Sequence, residues 1–526
     1  MQTKAGHFMK IQQFFQSFAG HSLTYDDLIF LPGYLDFGIE QIDISTKLTK
    51  KISLNIPLIS SPMDTVTEAE LATALALQGG IGIIHYNMSP DEQLHEVQKV
   101  KRFQNGFISD PITLPPHASI RDVVRIRQQL GYSIIPITDD GTSRGKLVGM
   151  ITKYDYSRFL EGWLDKKISE RMVPLEKLPH ATYADFARQG GFDLCRANQR
   201  LLESHSAALP IVDREGSLLY LITRSDLEKH QNFPNAATDE KGALLVGAAV
   251  ETWAEKAHER IARLSDVVDV ILFDTSQGHS RYECDLIRWT KRHHPHLEVI
   301  AGNVVTGEGC HALIDAGADA VRIGMGSGSI CTTQEVGGIG RGQASAIFEC
   351  ANFCRSRNVP LIADGGITKS SDIVKALVLG ASTVMLGSLL ACTNEAPGKS
   401  HIKDGIRLKE YRGMGSIKAM EKGSAIRYGT ENSTIRIPEG VSGLVPSRGS
   451  VGEWIMCLLQ GTRQGLHKIA YPTIHAAHLG IEENSTRLER RSEGAKREGQ
   501  VHNLYEIAQE GTQIAQTPSE KEWAHA

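Results

Sequence analysis

The chain has 526 residues, which predicts about two to four domains, although a single α/β barrel can reach about 250 residues. Hydrophobic residues make up 41% and charged residues 22%, and the net charge of −4 excludes nucleic-acid binding through overall positive charge. No apolar run approaches the roughly 20 residues of a membrane span and the N-terminus has no secretory apolar region, so we expect a cytoplasmic protein with reduced cysteines.

Eight short apolar runs, each followed by a turn and a helical pattern, indicate alternating strands and helices. The last six begin 24, 30, 23, 40 and 23 residues apart. Their continuous apolar character is typical of strands buried on both faces, and eight such units predict an α/β fold, the (β/α)₈ TIM barrel. The runs are PLISSPM (57–63), GIGIIH (80–85), ALLVGAAV (243–250), VVDVILFDT (267–275), LEVIAGNV (297–304), AVRIGMG (320–326), PLIADGGI (360–367) and TVMLGS (383–388).

The segment between the second and third runs contains an internal repeat. SIIPITDDG and KLVGMITKYDYSRF are echoed by AALPIVDREG and SLLYLITRSDLEKH, so that Thr152 and Thr223 lie 71 residues apart. We interpret the repeat as two small α/β modules inserted in a barrel loop. The second module is 11 residues longer between Ala181 and Pro210 than the first is between Ala118 and Pro136.

These patterns predict four regions of the chain. Residues 1–102 form the first part of the barrel, 103–235 the insert, 236–482 the rest of the barrel and 483–526 a tail. Because the tail is charged and poor in apolar residues, we expect it to be extended or disordered unless a partner orders it.

Polar residues follow several of the predicted strands, and barrel enzymes bind their ligands at these carboxyl ends. A glycine-rich loop, 324–343, carries Cys331 at its centre, where an accessible thiol suits a nucleophile better than a structural role. The loop does not open a helix after a βα turn, which excludes a Rossmann dinucleotide site. The other strand-end residues are Ser61, Met63, His85, Asn87, Asp274, Ser276 and Asn303.

The last two strands end in Asp364-Gly365-Gly366 and Gly387-Ser388, where barrels commonly bind phosphate. The glycine amides can approach phosphate oxygens, while the carboxylate of Asp364 accepts from ribose hydroxyls. A sugar phosphate or nucleotide fits this pair, and a simple turn is the alternative. The following segment, 411–440, has few buried-type residues and several glycines, so it predicts a mobile lid with Arg427 and Tyr428 near its middle.

These motifs resemble those of the inosine-5′-monophosphate (IMP) dehydrogenase family, including its tandem cystathionine-β-synthase-type (CBS, or Bateman) α+β insert. The resemblance runs from SLTYDDLIFLPGY (22–34) to the PEG at 438–440. GSGSICTT, ADGGI, YRGMGS and the Arg-Tyr pair of the lid occur in barrel order, which makes the resemblance specific.

The resemblance implies an NAD-dependent oxidation of IMP to xanthosine monophosphate (XMP), on the route to guanine nucleotides. Cys331 would attack carbon 2 of the base, hydride would pass to NAD, and water would hydrolyse the covalent thioimidate. The lid, or flap, would enter the vacated cofactor site with Arg427 as general base and Tyr428 beside it. Thr333 and Glu439 match a second proton route of the family.

The resemblance also implies ligand sites, potassium and a homotetramer that can pair to octamers through the inserts. The IMP site would comprise Ser61, Met63, Ser329, Asp364, Gly366, Gly387, Ser388, Tyr411, Gly413, Met414, Gly415 and Glu439. The NAD site would comprise Asp274, Ser276, Asn303 and Gly324. Potassium would bind carbonyls of Gly326, Gly328 and Cys331, with Glu498, Gly499 and Gln500 of a neighbouring subunit. Adenine or guanine nucleotides at the insert would meet Thr152 with Asp155 and Thr223 with Asp226.

Three alternatives remain open at this point. Guanosine monophosphate (GMP) reductase shares the barrel, the cysteine loop and the covalent intermediate, but it needs no flap dyad, so Arg427-Tyr428 and the insert favour the dehydrogenase. A catalytically weak protein that senses nucleotides is suggested by unusual neighbours of the dyad, Ile426 and Gly429, and by glutamine after the two threonines of CTTQEV. A flavin-dependent barrel oxidase is disfavoured by the cysteine loop.

Overall fold

The computed structural model describes residues 9–102, 108, 111–130, 132–155, 162–188, 191–192, 194–224, 232–240, 242–428, 435 and 437–500. They form two compact units, one comprising residues up to Lys101 and from Leu245 onward, the other residues from Arg102 to Leu244. In this described part of the chain, no helix is both long and apolar enough to cross a membrane.

The first unit is a closed barrel of eight parallel strands, which confirms the predicted TIM barrel. The last strand pairs with the first, placing Leu386 beside Ser60, and the second strand pairs with the third, so the sheet has no free edge. Nearly all strand residues are buried because side chains fill the barrel interior on one face and meet helices on the other. The strands are β1 (Leu58–Ser60), β2 (Ile81–Ile84), β3 (Val246–Val250), β4 (Val270–Phe273), β5 (Glu298–Val304), β6 (Ala320–Ile323), β7 (Leu361–Asp364) and β8 (Thr383–Leu386).

A helix follows each strand and covers the barrel. Several begin at a hydroxyl cap: the side chain of Ser280 accepts from the backbone N–H of Glu283, and that of Thr306 accepts from Gly309. The eight helices are, in order, Ala69–Leu77, Pro90–Lys101, Ala254–Leu264, Arg281–His293, Gly307–Ala316, Gln343–Ser356, Ser370–Val378 and Val451–Ile469.

Two connections between strand and helix are much longer than the others, and both lie at the carboxyl end of the barrel. The connection after β6 contains the short helix Thr333–Gly337. The connection after β8 contains helices Ser388–Ala391 and Ile417–Lys422 and a three-stranded antiparallel sheet of Ser400–Lys403, Ile406–Arg412 and Ser442–Pro446. These two connections carry the cysteine loop and the flap.

The chain ends of the unit pack beside the barrel. Strand Leu28–Phe30 pairs with Leu488–Arg490, and Leu488 is fully buried. The expectation of an extended or disordered tail from residue 483 is therefore wrong up to residue 500, because a single buried leucine and backbone pairing order a polar segment. Residues 501–526 lie outside the described part. The remaining elements here are α-helices Ile11–Ser17, Ile474–Glu482 and Glu493–Glu498, the hairpin Thr46–Lys47 with Ser53–Leu54, and 3-10 helices Tyr25–Asp27, Ile39–Gln41 and Ser424–Tyr428.

The second unit contains two similar three-stranded sheets. The first comprises Ile134–Thr138, Leu147–Thr152 and Val173–Pro174, beside helix Ile120–Leu130. The second comprises Ala181–Thr182, Ala208–Val212 and Leu218–Thr223, beside helix Leu194–Glu203. The longer spacing in the second half accommodates an additional hairpin, Ala187–Arg188 with Gly191–Phe192.

The two halves of this unit bind each other reciprocally. The N–H of Leu147 donates to the carbonyl of Gly216, and the N–H of Leu218 donates to Gly145, both at 3.0 Å. Each partner lies 71 residues from its counterpart, which is the spacing of the sequence repeat. A hydrophobic cluster drawn from both halves, including Leu147 and Leu218, lies beneath these bonds.

Candidate active site

A cavity of about 220 Å³ opens at the carboxyl ends of the barrel strands. It is lined by most of the residues that the sequence analysis assigns to catalysis and ligand binding. Asp274 does not line it directly, but its carboxylate contacts two residues that do. The predicted residues around the cavity are Ser61, Met63, Ser276, Asn303, Gly324, Gly326, Gly328, Ser329, Cys331, Thr333, Asp364, Gly366, Gly387, Ser388, Tyr411, Gly413, Met414, Gly415, Arg427, Tyr428 and Glu439.

Cys331 begins a hydrogen-bonded chain of three side chains. Its Sγ lies 3.1 Å from the hydroxyl of Thr333, which in turn lies 2.9 Å from Oε2 of Glu439. The backbone fixes this alignment, because the N–H of Thr332 donates to the carbonyl of Glu439 at 3.0 Å. The arrangement provides a continuous route for a proton between the sulfur and the carboxylate.

The flap residue Arg427 is docked against the barrel at the end of β4. Its guanidinium forms an ion pair with Oδ1 of Asp274, a residue that is fully buried. Its backbone carbonyl accepts from the hydroxyl of Ser276 at 3.1 Å. Asp274 and Ser276 are the residues predicted to hold NAD, so the flap occupies the predicted cofactor position.

Tyr428 follows Arg427 into the site and packs tightly against the backbone. A Cβ built on Gly415 would lie 2.8 Å from the Tyr428 hydroxyl, so only glycine permits this approach. Burial raises the pKa of Tyr428 above its ordinary value, although the neighbouring Arg427 acts in the opposite direction. The phenol therefore stays protonated and can donate a hydrogen bond.

The first half of the predicted lid is more ordered and more buried than the sequence pattern indicates. Residues 417–422 form a helix that buries Ala419 and Met420, and the hydroxyl of Ser424 donates to the carbonyl of Met414 at 2.5 Å. The expectation of few buried residues is therefore wrong for 411–428. Residues 429–434 and 436 lie outside the described part of the chain.

An ionic anchor holds the base of the flap. Arg412 pairs with the carboxylate of Asp64, and the side-chain amide of Asn87 donates to the same carboxylate at 2.7 Å and to the carbonyl of Ala419 at 3.3 Å. Burial alone would raise the pKa of Asp64, but the hydrogen bonds from Arg412 and Asn87 outweigh it and lower that pKa. Asn87 thus connects β2 to the flap helix. The backbone N–H of Asn87 also donates to Nδ1 of His85, the other strand-end residue of β2.

Asp364 presents one carboxylate oxygen to the protein and the other to the cavity. Its Oδ2 accepts from Nε of Arg322 at 3.0 Å, from Nη2 of Arg322 at 2.9 Å and from Asn303 at 2.9 Å. The same guanidinium donates through Nη1 to Oδ1 of Asp274 at 2.6 Å. One arginine therefore holds both Asp364, predicted for the IMP site, and Asp274, predicted for the NAD site.

Sequence reasoning missed Arg322. Its signal was a single charged residue inside the apolar run AVRIGMG, at a position where a barrel strand is buried on both faces. The side chain is only 4% exposed. A buried arginine requires carboxylate partners, and these indicate a polar site at the end of β6.

The opposite end of the cavity offers donors suited to an anion. Gly366 and Gly387 expose backbone beside Ser329 and Ser388, and Tyr411 lies against Gly387. Burial, only partly offset by a hydrogen bond with Ser329, raises the pKa of Tyr411 well above its ordinary value, so its hydroxyl remains a donor. These are the residues predicted to bind phosphate.

The predicted potassium ligands lie on two separate segments. Gly326 and Gly328 belong to the cysteine loop, where the carbonyl of Gly326 accepts from the Gln334 amide at 2.7 Å. Glu498 and Gly499 end another helix, whose Lys496 pairs with Asp27 at 3.1 Å; Gln500 follows them. Among the described residues, no cluster of histidine, cysteine, aspartate and glutamate side chains could hold a metal ion. A site of backbone carbonyls shared with a neighbouring subunit remains a prediction.

The predicted nucleotide residues of the insert lie in the second unit. The hydroxyl of Thr152 donates to Oδ2 of Asp155 at 2.8 Å, and the Thr152 N–H donates to the same oxygen at 2.6 Å. Both bonds of this turn therefore use the same carboxylate oxygen of Asp155. Thr223 ends the corresponding strand of the other half, and Asp226 lies outside the described residues.

Comparison with known proteins identifies the family. Residues 22–502 match the family model for the "IMP dehydrogenase / GMP reductase domain". The chain is 42% identical to inosine-5′-monophosphate dehydrogenase of Toxoplasma gondii, an alignment covering 92% of this chain and 95% of that protein. It is also 42% identical to the enzyme of the same name from Schizosaccharomyces pombe, over 92% of each chain.

A solved structure with the same fold is a cysteine-to-alanine variant of GMP reductase from Trypanosoma brucei in complex with guanosine 5′-monophosphate. It aligns with a TM-score of 0.79 and 34% identity, covering 92% of this chain and 98% of that one. With the family model matching most of the chain and dehydrogenases at 42% identity over nearly all of it, the chain belongs to the IMP dehydrogenase / GMP reductase family of oxidoreductases.

Proposed function

We propose that the protein oxidises IMP to XMP with NAD as hydride acceptor, in guanine nucleotide synthesis. The observation that carries the proposal is that the flap dyad Arg427-Tyr428 lines the same cavity as Cys331. Hydrolysis of a covalent intermediate needs groups that handle water beside the nucleophile, whereas reductive deamination does not need this dyad. The dehydrogenases at 42% identity support the same reaction.

IMP would lie across the cavity with its ribose at Asp364 and its phosphate at the ends of β7 and β8. The free Oδ1 of Asp364 can accept from a ribose hydroxyl, since the hydrogen bonds from described residues reach only Oδ2. The base would then extend toward Cys331. The groups around the phosphate and base would be Ser61, Met63, Ser329, Gly366, Gly387, Ser388, Tyr411, Gly413, Met414, Gly415 and Glu439.

Cys331 would form a bond to carbon 2 of the base through Sγ, and its thiol proton can leave through Thr333 to Glu439. NAD, when bound, supplies the acceptor for the hydride that carbon 2 loses. The buried Asp274 Oδ2 and Asn303 Oδ1 have no partner among the described residues, which fits hydroxyl or amide donors of this cofactor. Ser276 and Gly324 complete that part of the cavity.

Water would then attack carbon 2 of the thioimidate while the flap is docked, and the bond from carbon 2 to Sγ of Cys331 would break to release XMP and the free thiol. Arg427 would take the proton with Tyr428 beside it, and the Thr333–Glu439 pair offers a second route. Arginine normally stays charged up to about pH 12, so base catalysis requires either strong local stabilisation of its neutral form or loss of a guanidinium proton to another group as the water attacks. Potassium, held by carbonyls of the cysteine loop, would stiffen this loop.

The GMP reductase structure weakens one argument for the dehydrogenase. Its alignment covers 92% of this chain, more than the barrel unit alone contains, so a reductase can carry a comparable insert. The presence of the flap dyad is therefore the observation that favours the dehydrogenase over the reductase. GMP reductase remains the second candidate function.

We further propose that the second unit is a tandem CBS pair that binds adenine or guanine nucleotides. The reciprocal bonds and the shared cluster between its halves support a pseudo-symmetric regulatory module. Homotetramers, with octamers formed through these units, are proposed on the family resemblance.

The test is absorbance at 340 nm with IMP, NAD and potassium. The intact protein should show a rise that Cys331→Ala abolishes and that the matched control Cys457→Ala, on the helix Val451–Ile469, preserves. Replacing potassium by sodium should slow the rise. No rise with IMP, together with a fall at 340 nm with GMP and NADPH, would indicate a reductase. No change of absorbance in either assay would favour a regulatory protein.

A further inference from the structure

The guanidinium of Arg322 lies between the carboxylates of Asp274 and Asp364. Nη1 contacts Asp274, while Nε and Nη2 contact Asp364, at 2.6–3.0 Å. The two carboxylates belong to different subsites, one proposed for NAD and the other for IMP. We infer that Arg322 is a positioning residue that couples the two nucleotide subsites, an inference that rests on the proposed function.

The geometry leaves each carboxylate with one oxygen for a ligand. Oδ2 of Asp364 accepts from Arg322 and Asn303, whereas no hydrogen bond from a described residue reaches Oδ1 of this cavity-lining residue. Oδ1 of Asp274 accepts from Arg322, and its buried Oδ2 has no partner among the described residues. A planar guanidinium fixes the orientation of both groups at once, which a lysine ammonium cannot do.

The charges of the site lead to the same coupling. With the flap docked, Arg322 and Arg427 balance Asp274 and Asp364. When the flap leaves for NAD to bind, Arg322 is the cation that still contacts both carboxylates. A ligand that hydrogen-bonds to Asp364 must therefore affect the position of the same guanidinium that holds Asp274.

The experiment measures binding without turnover, in a Cys331→Ala background, by titration calorimetry with IMP and NAD. Each ligand is titrated alone and with the other present, so that their mutual effect is obtained. In the parent background, IMP should tighten NAD binding and NAD should tighten IMP binding by the same factor. Arg322→Lys should weaken the binding of each ligand by roughly tenfold, as expected for a lost charge-assisted hydrogen bond. It should also bring the factor by which each ligand tightens binding of the other close to one.

Arg260→Lys is the matched control. Arg260 is also buried and pairs with Glu251 at 2.7 Å, at the end of β3, but neither residue lines the cavity. The control should leave both affinities within about twofold. If Arg322→Lys weakens only one ligand, or weakens both no more than Arg260→Lys does, the inference is wrong.

A second measurement keeps Arg322 in place. Asp274→Asn and Asp364→Asn, alone and together, form a double-mutant cycle on IMP affinity, and coupling through Arg322 predicts that their effects are not additive. Additive effects would overturn the inference. If the Cys331→Ala background binds neither IMP nor NAD, the proposed function falls and this inference with it. Normal binding there, with unchanged affinities in Arg322→Lys, overturns the inference alone.

Discussion

Arg427→Ala should separate hydride transfer from hydrolysis. The substitution removes the ion pair with Asp274, whose two side chains are 12% and 0% exposed. A hydrogen bond to a charged group contributes about 1.5–3 kcal/mol, so flap docking should weaken by about 10- to 150-fold. Steady-state turnover should fall by at least this factor, because Arg427 is also the proposed base.

The first turnover should be spared, because Asp274 is then released from the flap and free to meet NAD. Rapid mixing with IMP and NAD should give a burst of about one NADH per active site at 340 nm, followed by a slow phase. Lys418→Ala, which removes an exposed positive charge from the neighbouring flap helix, should leave both phases within about twofold. Loss of the burst in proportion to the slow phase would refute the assignment of Arg427 to hydrolysis.

Three further outcomes are expected. Thr333→Val should lower the rate of NADH formation by about 2- to 12-fold because it breaks the path between Cys331 and Glu439, whereas Thr333→Ser should retain it; equal rates would exclude this path. Burial lowers the pKa of His478 to about 4, so stability should decrease from about pH 6.5 toward pH 4 by up to about 3 kcal/mol. Melting temperatures of His478→Gln should lose that slope, and an unchanged slope would contradict the assignment. Leu488→Ala should cost about 2–5 kcal/mol locally and speed proteolysis of the C-terminal segment, unlike the exposed Glu489→Ala; equal cleavage would contradict the docked strand.

The barrel was predictable from sequence because its strands are buried on both faces and therefore appear as continuous apolar runs. Cys331 was predictable for a related reason, since a glycine-rich loop after a strand offers no core for its thiol. Glu439, the hydrogen-bond partner of Thr333, lies 106 residues beyond it, and only the family resemblance placed the two together. Local sequence patterns do not reveal contacts between residues so far apart in the chain.

The features that sequence reasoning missed depend on contacts between distant segments. Arg322 resembles any isolated charge until Asp274 and Asp364, 48 and 42 residues away, surround it. The pairing of residues 28–30 with 488–490 could likewise not be predicted, because the polar sequence of the tail gives no local sign of a strand. The flap helix has only six residues, too few to produce a helical periodicity, and its packing on the site supplies most of its order.

The reciprocal bonds of the second unit have a consequence for its folding and divergence. Each half has a hydrophobic cluster of its own, but Leu147 and Leu218 belong to a third cluster that both halves share, so deleting one half should expose apolar side chains of the other and destabilise it. Both halves should therefore be retained during evolution, even where the surface residues of one half have diverged.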